Sequence, residues 1–332
     1  MITETVGPNR LAAWTLVVLT PVVAELAWGS TPMSMAWLTL VWMPVYGAGV
    51  LLIREAWVRS RRPWLALVPL GVAYELVEDG IGLQALTSPS LYRAGEWGVR
   101  VLGFNVTYWE ANAVYHALFS VLVPIVLTHL AFPSHRGRPY LRTPGLVVTG
   151  VVAVLGVALL RVAVPPFQDP GYLAPLAAPV ASAVVAGLLA VVALRVLPPR
   201  GSSAPRPGPV PAPWALGVAS LLVTGVVLWL MWPPHSQGQP AGTHGLWVLA
   251  PMLAGLVLVV VSGLAVVRWS ARAAWSERHA LLLVGGMLVA HTLVGIGFWA
   301  RSAVDVAGLV VIALVTVGLA ALLDRRREPV PA

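Results

Sequence analysis

The chain has 332 residues, of which 58% are hydrophobic and 10% charged; soluble domains carry about 25% charged residues, so an ordinary soluble fold is excluded and an integral membrane protein is indicated. All 21 basic residues are Arg, and Lys and Cys are absent, which removes disulfides, thiolate metal sites, Cys nucleophiles and Lys Schiff bases. The net charge of +8 does not point to nucleic acid, because the Arg residues punctuate apolar runs instead of gathering on a polar domain.

Positions 26–53 and 207–267 hold no charged side chain. The second stretch is long enough for two crossings, since a spanning helix needs ~20 apolar residues. Splitting the apolar runs at turn-forming and Arg-rich breaks predicts an all-α, polytopic chain of ten helices, at 11–29, 33–53, 64–86, 109–132, 144–165, 173–197, 213–232, 245–268, 279–300 and 303–323. Three prolines in the break at 232–245 and the Pro-rich linker at 201–213 stop any helix there. With both termini on one side, 17 Arg fall on that side and only Arg93, Arg100, Arg161 and Arg301 on the other. Short cytoplasmic loops are enriched in positive charge, so this asymmetry predicts a cell-membrane protein with cytoplasmic termini. Glu4 weakens any basic leader, and the first run reads as a retained helix. Trp residues such as Trp14, Trp28, Trp232, Trp247 and Trp299 sit near run ends and read as an interfacial belt. Asn105-Val106-Thr107 matches a glycosylation acceptor, with nothing else in the chain suggesting that route.

Ionisable groups inside a bilayer cost ~2.5–3.5 kcal/mol each on insertion scales, so their positions carry functional information. Glu75, Glu78 and Asp79 lie within five residues of the third helix, and helical spacing puts them on one broad face. Three ionised carboxylates this close would repel one another, so the group is expected to hold a proton or face a cation. Glu78, His116 on the fourth helix and His291 on the ninth lie at similar depth, roughly 10–14 Å from the Arg-poor end at a rise of ~1.5 Å per residue. Asn112 and Ser120 flank His116 at four-residue intervals, a polar stripe. Glu25, Glu110, Arg161, Arg301 and Asp305 lie nearer the Arg-poor surface, where long side chains can snorkel. His129 and His135 read as groups at the opposite interface.

Pro21, Pro44, Pro69 and Pro124 fall inside the first four runs, where each frees a carbonyl and opens space for a cavity. The later runs are Val-, Ala-, Leu- and Gly-rich, with small-residue stretches such as 180–187 and Gly285-Gly286 that favour close packing. This contrast predicts a functional half at 1–143 and a six-helix, mainly scaffolding half at 144–332 within a single membrane domain.

No phosphate-binding Gly-rich loop with Lys, no Gly-x-Ser-x-Gly elbow and no His-Glu-x-x-His helix occurs. The run Ala73-Tyr-Glu-Leu-Val-Glu-Asp-Gly-Ile-Gly-Leu-Gln-Ala-Leu86, followed by His116 and ending Leu130-Ala-Phe-Pro133, resembles uncharacterised polytopic membrane proteins of actinobacteria over about residues 50–140, a likeness that transfers no activity. Adjacent Glu78-Asp79 with later histidines is also similar to CPBP-type intramembrane proteases. Against that signature, position 83 is Leu where Arg is required, no Phe precedes His116 by four, and His291 is followed four later by Gly295.

Two functions follow. In a secondary transporter of a small molecule, Glu75, Glu78 and Asp79 would bind a proton or monovalent cation, with His116 and His291 as relay or substrate contacts. In an intramembrane hydrolase acting on a lipid or membrane peptide, the same side chains would serve as acid and base, or Glu78, Asp79, His116 and His291 would hold Zn²⁺ or another divalent ion. An accessory or sensory subunit is the third reading. The partners expected are the lipid bilayer and a small-molecule or lipid substrate, with no nucleic acid.

Overall fold

Backbone groups in hydrocarbon must be bonded within their own segment, and the apolar runs accordingly fold as helices. A computed structural model describes residues 7–93, 98–199, 201, 205–232 and 245–326. Most of the 232–245 break, Glu4, Arg200 and Arg327 lie outside the described residues. The long helices are α1 (10–26), α2 (Leu38–Ser60), α3 (67–82), α4 (Val106–Ala131), α5 (Thr143–Ala163), α6 (Ala177–Val196), α7 (Pro213–Met231), α8 (Leu249–Ser270), α9 (Glu277–Trp299) and α10 (Ala303–Arg326). Among the described residues, eight are long and apolar enough to cross a membrane; α1 and α3 are shorter. Between α3 and α4 a two-stranded antiparallel hairpin pairs β1 (Arg100–Val101) with β2 (Phe104–Asn105).

Polar contacts gather the predicted Arg-rich loops at one end of the bundle. Asn9 lies 3.3 Å from the His135 ring, Arg62 donates to the Leu194 carbonyl, and Arg136 pairs with Glu277. At the other end the Met33 amide donates to Asp305, and the Ser88 hydroxyl to Asp169. Two expectations change here. Helix α2 continues past 53, so Arg54 and Glu55 are helical and fully buried instead of lying in a loop; an ion pair of 2.6 Å between them makes that burial tolerable. Asn105 is buried too, its amide donating to the carbonyls of Ala85 and Ser88, so it anchors the hairpin and is no accessible acceptor.

Helices α1–α4 form the centre, and of the eight long apolar helices α4 is the most enclosed, with 72% of its apolar stretch buried against 11% in α5, α8 and α10. Helices α5 and α6 pack on α2 and α3, whereas α7 and α9 pack on α4 from the other side, with α8 and α10 outermost. The six later helices therefore flank the first four on two sides and do not form a body of their own. Close approaches need small residues: a side chain at Gly71 would strike the α4 backbone at Ala117, and one at Gly286 would strike α7 at Gly217 and Ser220. Outward-facing Leu155, Val162, Leu188, Val257, Leu264 and Leu314 remain exposed, an apolar surface far larger than a soluble protein tolerates and suited to lipid.

Candidate functional site

Each of the four central helices contains a π-helical turn: Val22–Leu26 in α1, Met43–Ala48 in α2, Leu76–Gly82 in α3 and His116–Leu122 in α4. Such turns insert an extra residue into the α-helical ladder and recur at functional sites. Three of the four adjoin a proline that cannot donate into the ladder: Pro21 precedes the first, Pro44 lies in the second, and Pro124 follows the fourth. Pro21 leaves the Val17 carbonyl without its helical partner, and Gly47 of α2 packs directly against that carbonyl.

These turns present Glu25, Tyr46, Glu78, Asp79 and His116 to one cavity of about 680 Å³. Asn112, Tyr108 and Tyr115 of α4 complete the polar wall, and Trp28, Trp42, Trp232 and Trp299 add aromatic faces. Tyr92 and Arg93 follow one another with φ of 53° and 56°, a left-handed turn uncommon outside Gly, and both line the cavity near the Arg-poor end together with Arg301.

Glu25 is well satisfied: Tyr46 donates to it at 2.5 Å, Ser30 at 2.6 Å and Thr31 at 3.4 Å. The other acids are not. Glu78 and Asp79 are buried, and one oxygen of each has no hydrogen-bond partner. Glu78 reaches within 3.5 Å of His116 Nδ1, an atom that also lies 2.9 Å from the Ser120 hydroxyl. Rings of Tyr74 and Tyr46 pack 5.8 and 6.2 Å from the imidazole. Glu75 is wholly buried with neither oxygen hydrogen-bonded, and it does not line the cavity.

The expected common face is thus divided. Helix α3 changes from α to π between Glu75 and Leu76, so Glu78 and Asp79 turn into the cavity and Glu75 stays behind. In α4 the same change at His116 leaves Asn112 and His116 on the cavity and puts Ser120 behind the imidazole. His291 lies outside the cavity wall: it stacks on Phe119 at 4.3 Å and Trp28 at 4.9 Å, and its Nε2 meets the Tyr115 hydroxyl at 3.0 Å. That hydroxyl also donates to the Ala24 carbonyl, so His291 supports a tyrosine of the wall. Arg161 donates to the Ile81 carbonyl and holds the end of α3. Asp305 accepts from the Ser302 amide and hydroxyl while the Ser302 hydroxyl accepts from the Asp305 amide, a capping box for α10.

The divalent-metal set expected from Glu78, Asp79, His116 and His291 is not assembled, because Tyr115 separates the two histidines; among the described residues no three His, Asp or Glu side chains come together as a metal would require. Trp28 and Trp232 belong to this interior wall instead of an interfacial belt, whereas Trp14 and Trp247 are exposed as a belt requires. Sequence reasoning passed over the tyrosines. Their signal was present: Tyr74 precedes Glu78 by four, and Tyr108, Asn112, Tyr115 and His116 follow the 0, 4, 7, 8 spacing of one helix face.

The model of an uncharacterized membrane protein family matches residues 15–327. No curated protein and no solved structure matches, and no likeness to the CPBP-type proteases emerges.

Proposed function

The chain belongs to this uncharacterized membrane protein family, and on that footing we propose that it is a secondary transporter in which Glu75, Glu78 and Asp79 carry the coupling proton or monovalent cation and the adjoining cavity takes a small-molecule cargo. One observation carries the reading: these carboxylates are buried together, and oxygens of all three lack a hydrogen-bond partner. An unpaired ionised carboxylate in a low-dielectric interior is too costly to persist, so each group holds a proton or faces a cation, and transport would use the exchange of that ion. Four π-helical turns around the cavity add backbone that can change register as the cargo passes. The cavity lies toward the Arg-poor end, so in the cell membrane, with cytoplasmic termini, it loads from outside.

A hydrolase reading is less well supported. In a nucleophile–imidazole–acid chain the hydroxyl and the carboxylate engage opposite ring nitrogens, but here Ser120 and Glu78 both approach Nδ1 of His116.

Purified protein in proteoliposomes tests the proposal. A pH or Na⁺ gradient should drive solute accumulation that Glu75→Gln and Glu78→Gln each abolish; hydrolysis of a lipid or peptide that survives with no gradient-driven flux would defeat it. Orientation is checked separately, because the chain has no Cys. A membrane-impermeant maleimide should label Ser302→Cys on intact cells and Ser134→Cys only after permeabilisation, and the reverse pattern would invert the topology.

A further inference from the structure

The cavity wall combines incompletely bonded acids with aromatic side chains. Glu78 and Asp79 line it and each has a buried oxygen without a hydrogen bond, the Glu78 one 3.5 Å from the His116 ring, while Trp28, Tyr46, Tyr108 and Tyr115 also line it. The basic side chains on the wall, Arg93 and Arg301, are solvent-exposed and so belong to its mouth. An anionic cargo would meet like charge at depth. Bare Ca²⁺ or Mg²⁺ needs six or more oxygen ligands in close array, which ring faces do not supply, and among the described residues no three His, Asp or Glu side chains converge as Zn²⁺ would require. An alkylammonium group matches both halves of the wall, because its diffuse charge is attracted to carboxylates and to the negative faces of Trp and Tyr rings, and its methyl groups tolerate an apolar surround. The volume of about 680 Å³ accommodates such a molecule with a short tail.

We propose that the cargo is a small organic cation that exchanges with the coupling proton or cation at Glu78 and Asp79, its ammonium head seated against those carboxylates and enclosed by Trp28, Tyr46, Tyr108 and Tyr115. The proposal rests on the transport reading for what the site is used for. Its binding chemistry stands apart from it, and the two can fail separately.

Full-length protein in lipid nanodiscs provides the test, with binding measured calorimetrically for tetramethylammonium, choline and a primary alkylamine, each beside its uncharged carbon isostere; for choline this is 3,3-dimethylbutan-1-ol. The expected result is that at least one ammonium compound binds about tenfold or more tightly than its isostere. Asp79→Asn should weaken that compound by about tenfold or more. Tyr46→Phe, which keeps the ring, should retain binding where Tyr46→Leu loses it, and each variant's thermal unfolding is recorded so that a misfolded protein is not counted. Isosteres binding as well as the cations, no ammonium compound binding above the empty-nanodisc control, or NaCl giving the same response as choline chloride would each overturn the proposal. Ammonium binding without gradient-driven flux would retire the transporter and keep the site. Coupled flux of a neutral or anionic solute would retire this cargo and keep the transporter.

Discussion

The bundle buries two clusters of charge, and it treats them in opposite ways. Toward the Arg-rich end, Arg54 and Glu55 are fully buried yet fully engaged. The guanidinium bonds Glu55 at 2.6 Å and the His135 carbonyl at 2.8 Å, approaches the His129 ring at 3.4 Å, and lies 3.3 Å over the centre of the Tyr140 ring. Glu55 also accepts from the Tyr140 amide at 2.7 Å and from Arg59 at 3.3 Å. Burial raises the Tyr140 phenol above its ordinary range despite the opposing Arg54 charge, which keeps the ring neutral beneath the cation. Toward the Arg-poor end Glu78 meets the His116 ring at 3.5 Å, but four oxygens of Glu75, Glu78 and Asp79 have no hydrogen-bond partner. A chain able to satisfy one buried cluster so completely is not short of means to satisfy the other. Glu75 has both oxygens unbonded and Glu78 and Asp79 one each, a cost that the transport reading explains.

The largest expected effect separates the two clusters by activity. Glu78→Gln should lower gradient-driven flux by about a hundredfold or more while leaving thermal stability unchanged or raised, because it replaces a poorly satisfied buried carboxylate with a neutral isostere. A Glu78→Gln protein that unfolds well below the parent and keeps its flux would reverse the comparison, making this cluster structural.

The second prediction concerns the other end. Glu55→Gln leaves Arg54 buried without its counter-charge, and breaking a buried pair costs about 3–5 kcal/mol. Denaturation monitored in detergent should show that loss, with flux per folded molecule near that of the parent. A double change, Arg54→Met with Glu55→Leu, should recover only part of the stability, since it removes both charges but leaves the Tyr140 amide and the His135 carbonyl without their side-chain partners. If the single change proves harmless, the pair is not the anchor that its geometry makes it.

These two clusters also mark how far the sequence could be read. Helix positions were legible because apolar runs of about 20 residues have no other fold in lipid, and predicted bounds such as 213–232 and 279–300 fall within two residues of Pro213–Met231 and Glu277–Trp299. The end of α2 was misplaced because Arg54 reads as a loop charge until Tyr140 and the loop after α4 are brought to the Arg54–Glu55 pair, contacts that span more than 80 positions. The acids of the site were legible by their rarity. Their orientation was not, because the inference of a shared face assumes a continuous α-helix, and π-helical turns begin at Leu76 and His116. The prolines hinted at cavities without giving the register they impose.

The smallest effect sharpens the boundary of the site. His291 and Tyr115 meet at 3.0 Å behind the cavity wall, and interhelical hydrogen bonds in membrane proteins average ~0.6 kcal/mol by double-mutant cycles. A cycle of His291→Phe, Tyr115→Phe and the double change should therefore give a coupling of about 0.6 kcal/mol in stability. Phe preserves the stacking on Phe119 and Trp28, so the cycle reports the hydrogen bond alone. Flux in His291→Phe should fall no more than about threefold, the change expected when a wall residue loses one support at that coupling. A loss as deep as that of Glu78→Gln would mean that His291 exchanges protons with the cavity through the Tyr115 hydroxyl, and the working cluster would then extend from α3 across α4 into α9.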